Sequence, residues 1–308
     1  MKKRVTGIVL VLLVLTTLGA GCAVQKPAQS LTIGVLPDVD SIPIIIAQEK
    51  GFFEEEGLDI RIEHFTSAAD RESALQAGSL DGAVSDMLSA AFLTEGGFDV
   101  AITSMTNGSY KLLAGTAMSG SSDLSGKSIA ISTNTIIEYT TDMMLAERGL
   151  SPEDVEKTAI PQIPVRLEML QSGQIDAATL PEPLASVAVE AGATVLGSSD
   201  ALGINPGVLL FTADAVSEKK TELAAFYRAY NKAVEYLKST AISEYADILI
   251  EVSGFPEDVR EQLTLPEYTP AALPDRDDFD GVMAWLTGKE LIQTTYQYDD
   301  LVVKDFVK

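Results

Sequence analysis

The chain has 308 residues and a formal net charge of −23 at pH 7, with 45 acidic and 22 basic side chains. A surface this acidic repels nucleic acid and anionic lipid, which excludes binding to either by bulk electrostatics. Because 46% of the residues are hydrophobic and the length exceeds the usual size of a single core, we expect a well-packed protein of two lobes.

The first 21 residues have the order of a secretory signal peptide. Three basic residues at positions 2–4 precede an uncharged apolar run that ends at Leu18, and the small residues 19–21 follow it. The apolar run is shorter than the roughly 20 residues that a membrane-spanning helix needs. We therefore expect residues 1–21 to be a cleaved signal peptide and the protein to be exported.

Cys22 is the only cysteine in the chain, which excludes an intramolecular disulfide. Its place directly after the segment LGAG (18–21) resembles a bacterial lipobox, in which the cysteine carries fatty acyl chains such as palmitate. The commonest lipobox has leucine where this chain has Gly19, so the alternative is an ordinary signal peptide followed by an incidental free cysteine. We expect residues 22–30 to be the lipidated cysteine and a tether, and the lipid to be the only attachment to the extracytoplasmic face of the cell membrane.

From residue 31 to residue 104, runs with strand character alternate with runs of helical character. Proline, glycine and capping residues such as Ser41 and Asp86 separate them. Strands joined by single helices at this spacing are typical of βαβ units with parallel strands. The predicted strands are 31–36, 58–65, 82–85 and 100–104, and the predicted helices are 41–47, 69–77 and 87–94.

A polar stretch rich in glycine and serine at 120–123 suits a lobe boundary, and a second alternating run follows it. The last strand of this run is expected to return the chain to the first lobe. From Ser217 onward the pattern is helical, and the apolar stripe of the longest helix is predicted to face a core. The predicted strands are 128–132, 175–180, 194–196 and 208–212, and the predicted helices are 135–149, a short one from 151, 164–172, 181–191, 218–238, 244–252, 256–263, 277–286 and 299–307.

Four groups of motifs occur in a fixed order along the chain. They are IGVLP at 33–37 with IAQEKGFFEEEGLDI at 46–60, ALQAGSLDG at 74–82, DLSGKSI at 123–129, and LQSGQIDA at 170–177 leading to PEP at 181–183. In sequence and order they resemble the nitrate/sulfonate/taurine type of ABC-importer solute-binding proteins. That superfamily also includes binders of thiamine pyrimidine precursors.

The resemblance implies an α/β protein with a two-lobe, periplasmic-binding-protein-like (type II) fold, two hinge crossings, and mainly parallel sheets flanked by helices. Residues 31–116 and 214–308 would form lobe one, and residues 117–213 lobe two. It also implies a monomer that captures a small-molecule solute by closing its lobes and delivers it to an ABC permease and its ATPase. A ligand-sensing lipoprotein that serves a receptor partner is the alternative.

Candidate ligand-binding residues follow from the fold class. In open α/β sheets, ligands lie beyond the C-terminal ends of the strands, near helix N-termini with free N–H groups. Several of the candidates have a second explanation, as helix caps, as an exposed helix residue (Arg71) or as a first-turn charge (Glu182). The candidates are Asp38, Asp40, Ser41, Ser67, Arg71, Asp86, Asn107, Tyr110, Thr133, Asn134, Thr135, Glu182 and Asn205.

The candidates contain more carboxylates than cations, with Arg71 as the one arginine among them. A nitrate or sulfonate pocket needs several donors for the anion. This set therefore favours a small, neutral or cationic, nitrogen-containing solute such as an aminopyrimidine. A sulfonate or nitrate type of anion is the alternative.

The sequence offers little for catalysis. His64 is the only histidine, so neither a zinc site of histidines and cysteines nor a histidine pair can form. No Gly-x-Ser-x-Gly elbow, phosphate-binding loop or dinucleotide fingerprint occurs. Pyrimidine-synthesising enzymes of this fold use a cysteine-rich motif that this chain lacks. We expect a binding protein that is not an enzyme and that holds no cofactor and no metal.

Overall fold

The computed structural model describes residues 29–118, 122–253, 255, 263 and 265–307. The predicted signal peptide, Cys22 and most of the tether lie outside the described residues, and so does most of the predicted helix at 256–263. Among the described residues, none of the helices combines the length and the apolar character that a membrane crossing requires.

The first sheet has five strands, four of which run in the same direction. Strand β10, the last of the five along the chain, lies between β3 and β4 and is antiparallel to both. The order across the sheet is β2-β1-β3-β10-β4. The strands are β1 (Gln29–Val35), β2 (Leu58–His64), β3 (Gly82–Asp86), β4 (Val100–Met105) and β10 (Gly207–Thr212).

The second sheet repeats this plan, with β5 as its antiparallel strand between β8 and β9. The order is β7-β6-β8-β5-β9, so the edge strand β7 corresponds to β2 of the first sheet. Two mixed α/β sheets thus form two lobes, as the fold class predicted. The strands are β5 (Tyr110–Ala114), β6 (Ser128–Ile131), β7 (Glu156–Ala159), β8 (Ala177–Pro181) and β9 (Thr194–Ser198).

The chain changes lobe earlier than the predicted boundaries at 116/117 and 213/214. Strand β5 already pairs in the second sheet, and β10 already pairs in the first. The crossings are therefore the segments 106–109 and 203–206. The predicted boundary near 120 is therefore too late, since β5 precedes it, and residues 120 and 121 lie outside the described residues. The sequence analysis missed β5 itself. Each crossing strand enters its new sheet antiparallel, which explains why the sheets are mixed.

Thirteen α-helices cover the sheets in the described part of the chain. The apolar stripe of the longest, α10, is buried against the first sheet, as predicted; Phe226 and Tyr230 are examples. The helices are α1 (Ile42–Glu49), α2 (Phe52–Glu55), α3 (Ala68–Gln76), α4 (Met87–Glu95), α5 (Ile136–Glu147), α6 (Ile163–Gln171), α7 (Leu184–Glu190), α8 (Ser199–Leu202), α9 (Ala213–Glu218), α10 (Lys220–Ser239), α11 (Ala246–Glu251), α12 (Arg276–Gly288) and α13 (Tyr298–Leu301).

Two predicted helices are wrong in part. The segment from 151 forms only a 3-10 turn, Pro152–Asp154, before β7 begins. Strand β7 lies at the edge of its sheet and is mostly exposed, so it lacks the apolar run by which buried strands are recognised. The predicted helix 299–307 is limited to α13, after which the chain runs beside β4 through the pair Ile102 and Val302.

Capping side chains place helix N-termini at the ends of the strands. Ser67 accepts the Asp70 N–H at 3.2 Å, Asp86 accepts the Ser89 N–H at 2.7 Å, and Thr135 accepts the Ile137 N–H at 3.2 Å. Each cap satisfies an N–H group that the helix itself leaves free. These three helix starts face the space between the lobes, where a ligand site is expected.

Candidate functional site

A narrow cleft between the two lobes encloses a cavity of about 30 Å³, which is room for one or two water molecules. This volume is far below the range of small-molecule pockets, so a solute would need the lobes to move apart. The first lobe lines it with Leu36, Asp38, Asp40, Ala68, Arg71, Val84, Ser85 and Asp86, and the second lobe with Tyr110, Ser132, Thr135, Ile136, Ile137, Pro161, Ile163, Arg166 and Pro181.

The lobes touch each other around this cleft. The Ile163 N–H at the start of α6 donates to the carbonyl of Thr66 at 3.0 Å. The Val39 N–H donates to the carbonyl of Glu182 at 3.0 Å. These backbone hydrogen bonds join segments of different lobes, so the two lobes are in direct contact.

Arg166 is the most unusual side chain of the cleft. It is fully buried, with 0% of its surface exposed, and its Nη1 donates to the Ile160 carbonyl at 3.2 Å. Its Nε and Nη2 have no hydrogen-bond partner among the described residues, which also provide no ion pair for it. Burial lowers the pKa of Arg166 to about 9, so the guanidinium still carries its charge at neutral pH. A buried, unpaired cation with free N–H groups is a strong site for an anion.

Arg71 is also buried, but its charge is compensated. Its Nη2 donates to Glu72 Oε1 at 2.6 Å and to Ser85 Oγ at 3.0 Å, and its Nη1 donates to the Val84 carbonyl at 2.5 Å. Although burial opposes it, the carboxylate of Glu72 raises the pKa of Arg71. The alternative of an exposed helix residue is therefore wrong, because the Arg71 side chain fastens α3 to β3 beneath the cleft.

Three carboxyl groups in the cleft, those of Asp38, Asp40 and Asp86, have pKa values raised chiefly by burial. Burial, followed by the nearby charge of Asp40, raises the pKa of Asp38 well above its ordinary value. Burial also raises the pKa of Asp86, and the charge of Arg71 opposes this effect. A carboxyl that keeps its proton can donate a hydrogen bond to an anion, whereas an ionised one can accept from a ligand amine.

Asp40 lines the cleft, but both of its carboxylate oxygens already accept hydrogen bonds from side chains of the first crossing and of β5. Its Oδ2 accepts from the Tyr110 hydroxyl at 3.0 Å, and its Oδ1 accepts from the Thr106 hydroxyl at 2.5 Å. A Cβ at Gly108 would lie 2.6 Å from Asp40 Oδ2, so the first crossing needs glycine at this position. Asp40 therefore ties the loop after β1 to the crossing segment.

The structure places the predicted site residues in three groups. Six of the thirteen line the cleft: Asp38, Asp40, Arg71, Asp86, Tyr110 and Thr135. Thr133 and Asn134 line an adjoining groove. The remaining five, Ser41, Ser67, Asn107, Glu182 and Asn205, line neither.

Each of those five has another partner. Ser41 does not cap a helix; its hydroxyl donates to Asp38 Oδ1 at 2.9 Å, and Asp38 is the cap instead. Asn107 is bonded to Thr269 at the surface, and Glu182 forms an ion pair with Lys111. Ser67 caps α3 by bonding Asp70, and Asn205 Nδ2 donates to the Thr106 carbonyl at 2.6 Å within the crossings.

The sequence analysis missed Arg166, although a signal for it exists. Arg71 is the fourth residue of the helix that follows the edge strand β2, and Arg166 is the fourth residue of the helix that follows the edge strand β7. The rule that nominated Arg71 applies equally to Arg166. It was not applied because β7 had not been recognised as a strand.

A second group of charges joins the lobes away from the cleft. Lys289, one residue after α12, donates to Glu138 at 2.8 Å and to Asp142 at 3.1 Å on α5, and Trp285 Nε1 donates to Asp142 at 3.1 Å. Lys157 forms ion pairs with both carboxylates. Burial alone would raise the pKa of Glu138. Hydrogen bonds, including those from both lysines, outweigh this effect and lower the pKa to about 2. We name these five residues the α5–α12 cluster.

Comparison with known proteins identifies the family. Residues 24–250 match the NMT1-like family. The chain belongs to this family. A protein of Bacillus subtilis named for binding aliphatic sulfonates is 26% identical to this NMT1-like chain over 276 residues, which cover 85% of this chain and 82% of the relative.

Solved structures share the fold. The alkanesulfonate-binding protein SsuA from Xanthomonas axonopodis pv. citri, bound to MOPS, has a TM-score of 0.76 and 21% identity over 91% of this chain and 99% of its own. The periplasmic nitrate-binding protein NrtA from Synechocystis PCC 6803 has a TM-score of 0.77 and 14% identity, with 91% and 87% covered. The type of protein indicated by the sequence motifs is thereby confirmed.

One neighbour of the same fold is an enzyme, the desulfurization enzyme DSZB, with a TM-score of 0.61 and 15% identity over 90% of this chain and 97% of its own. The relative of Bacillus subtilis and the other two neighbours described are binding proteins. Within the described part of this NMT1-like chain, no cluster of three or more histidine, cysteine, aspartate and glutamate side chains could hold a metal ion.

Proposed function

We propose that this protein is the exported, lipid-anchored solute-binding component of an ABC importer, and that it captures a small organic solute with an anionic group. The observation that carries the proposal is Arg166, a fully buried guanidinium whose Nε and Nη2 lack partners among the described residues. A solute anion would supply both the missing charge and the missing acceptors. Sulfonate and nitrate, which the printed names assign to its relatives, are anions of this kind.

The same solute would carry a nitrogen group at its other end. Asp38 and Asp86 line the cleft, and among the described residues the paired Arg71 is the only other cation that lines it. An ammonium or amine N–H placed near these carboxyls would favour their ionised form and offset their burial. The proposal thus keeps the nitrogen-containing solute that the sequence favoured, and Arg166 adds an anionic group to it. The competing candidate is a simple anion, which would use Arg166 and give Asp38 and Asp86 no cationic partner.

If the lobes close on the solute, the affinity for the solute would depend on residues of both lobes. Arg166 belongs to the second lobe, whereas Asp38 and Asp86 belong to the first. A solute that bridges them interacts more strongly with the closed arrangement than with an open one, which is the condition for ligand-driven closure. The closed form would then be the one that the permease recognises.

Calorimetric titration with three small probes tests this proposal. We expect 2-aminoethanesulfonate to bind more tightly than ethanesulfonate, and ethylamine not to bind. Arg166→Met should weaken binding of both sulfonates by on the order of 100-fold, and Arg148→Met, at an exposed arginine of the same lobe, should leave it unchanged. Tighter binding of ethylamine than of either sulfonate would overturn the proposal. Tighter binding of ethanesulfonate than of 2-aminoethanesulfonate would favour the simple anion.

The lipid anchor needs a separate experiment. We expect the mature protein, produced in a bacterium with its own leader, to begin at Cys22 and to carry fatty acyl chains in an intact-mass measurement. Cys22→Ser should release the protein from the membrane fraction without changing its affinity for solute. An unmodified thiol at Cys22 in the mature protein would contradict the anchor.

A further inference from the structure

Helices α5 and α6 of the second lobe both begin at the cleft, and the first lobe caps both of them. The first N–H of α6, that of Ile163, donates to the Thr66 carbonyl at 3.0 Å. The first N–H of α5, that of Ile136, donates to Asp86 Oδ2 at 3.4 Å. A helix leaves its first N–H groups free, and such groups attract anions. The first lobe therefore already fills these two donors with its own oxygen atoms.

Of these two acceptors, only Asp86 can bring a full negative charge. Its side chain is buried, and its Oδ1 accepts the Ser89 N–H at 2.7 Å at the start of α4. One carboxyl group thus caps a helix of each lobe, α4 with one oxygen and α5 with the other. A backbone N–H on each oxygen and a helix N-terminus on each side favour the ionised form. Asp86 therefore presents to α5 the same type of group that an anionic solute would present.

A second observation places the solute anion close to Asp86. Asp86, Ile136 and Arg166 line the same cleft, and the unpaired Nε and Nη2 of Arg166 call for an anion there. The cavity of about 30 Å³ leaves no room for a sulfonate beside the Asp86 carboxylate in its present position. Two anions in one buried site also repel each other strongly. The bond between Asp86 and Ile136 must therefore break when the solute enters.

We propose that Asp86 is a specificity-determining residue, whose carboxylate competes with the anionic group of the solute for the second lobe. The inference rests on the proposed function, because it takes a solute anion on Arg166 as given. A simple anion separates Asp86 from Ile136 and offers the carboxylate no new partner. A solute that also carries an ammonium group gives Asp86 a cation in exchange for the lost N–H. Asp86 thus selects zwitterionic solutes against simple anions.

The variant Asp86→Asn tests this competition. It removes the charge and keeps a side-chain oxygen for the Ser89 N–H, so the cap of α4 remains. We expect calorimetry to show that ethanesulfonate binds about tenfold more tightly to this variant than to the parent. The preference for 2-aminoethanesulfonate over ethanesulfonate should disappear. Asp275→Asn, the same change at the exposed cap of α12 outside the cleft, is the matched control and should keep both affinities.

Hydrogen exchange without any solute tests the contact itself. In Asp86→Asn the Ile136 N–H loses its acceptor, and we expect its exchange, followed by NMR, to be about tenfold faster than in the parent. Asp275→Asn should leave the exchange of this amide unchanged.

Three results would contradict the inference. An affinity for ethanesulfonate that stays the same or falls in Asp86→Asn would overturn it, and the proposed function would stand if Arg166→Met still weakens binding. Equal exchange of the Ile136 amide in Asp86→Asn and in the parent would also overturn it. If no sulfonate binds to the parent or to Asp86→Asn, the proposed function and this inference both fail.

Discussion

Arg71 and Arg166 occupy equivalent positions in the two lobes, yet their surroundings differ. Each is buried and is the fourth residue of the helix that follows an edge strand. Arg71 is bonded to Glu72, Ser85 and the backbone of β3, whereas Arg166 has only the Ile160 carbonyl. A buried charge with hydrogen-bond and ion-pair partners can stabilise the fold. A buried charge without such partners destabilises the fold until a bound ligand supplies them. The comparison supports the proposal that Arg166 holds the solute, while Arg71 fastens α3 to β3.

The largest expected effect follows from removing the unpaired charge. Arg166→Met should weaken binding of ethanesulfonate by on the order of 100-fold, because a buried charge-assisted contact is lost. The same variant should raise the free energy of unfolding by about 2 kcal/mol, because a desolvated cation is replaced by an apolar side chain. Calorimetry and urea denaturation measure the two quantities. A variant that is less stable than the parent would show that Arg166 has a structural partner.

The paired arginine should behave in the opposite way. Arg71→Met removes the cation beside the Glu72 carboxylate, which keeps the Ser85 hydroxyl as a donor, and we expect it to lower the free energy of unfolding by about 3 kcal/mol. The double variant Arg71→Met, Glu72→Gln should recover part of this loss, because the uncompensated carboxylate is removed as well. Urea denaturation of the four proteins of this cycle gives the coupling. Additive losses would contradict the pairing.

Arg71 and Arg166 also show how much of the fold and of the site could be predicted from the sequence. Alternating strands and helices predicted two α/β lobes, and capping residues at strand ends located Asp38, Asp86 and Thr135 in the cleft. Strand β7 could not be recognised from the sequence, because it is an exposed edge strand without an apolar run. Arg166 was therefore missed as well. Burial and the absence of a partner are properties of the packed molecule, so the sequence pattern could not distinguish Arg166 from a surface arginine.

A smaller effect is expected from Asp38. Because burial raises its pKa, the folded protein holds this proton more tightly than the unfolded chain, and stability is lost as the pH rises above the ordinary value of 3.8. Asp38→Asn, which keeps an oxygen for Ser41, should therefore be more stable than the parent at pH 7 by roughly 1 kcal/mol. The difference should vanish as the pH falls through 3.8. Denaturation curves at several pH values test the sign, and a less stable variant at pH 7 would reverse it.

The smallest effect is expected at the α5–α12 cluster, where the charges between the lobes are paired. Lys289→Met removes one of two ammonium groups, and Lys157 still forms ion pairs with both Glu138 and Asp142. We expect two- to fivefold weaker binding of ethanesulfonate, the scale of a partly exposed ion pair, through a less favourable closure of the lobes. Lys304→Met, whose ion pair with Asp299 joins no lobes, is the control and should bind normally. An equal loss of affinity in both variants would contradict the link between Lys289 and closure of the lobes.

A crystal structure of the complex with 2-aminoethanesulfonate tests the central claim most directly. The unpaired nitrogens of Arg166 should lie about 2.7–3.2 Å from sulfonate oxygens, within hydrogen-bond distance. The ammonium group should lie on the side of Asp38 and Asp86. A sulfonate bound anywhere else, with Arg166 still bonded only to the Ile160 carbonyl, would contradict the account.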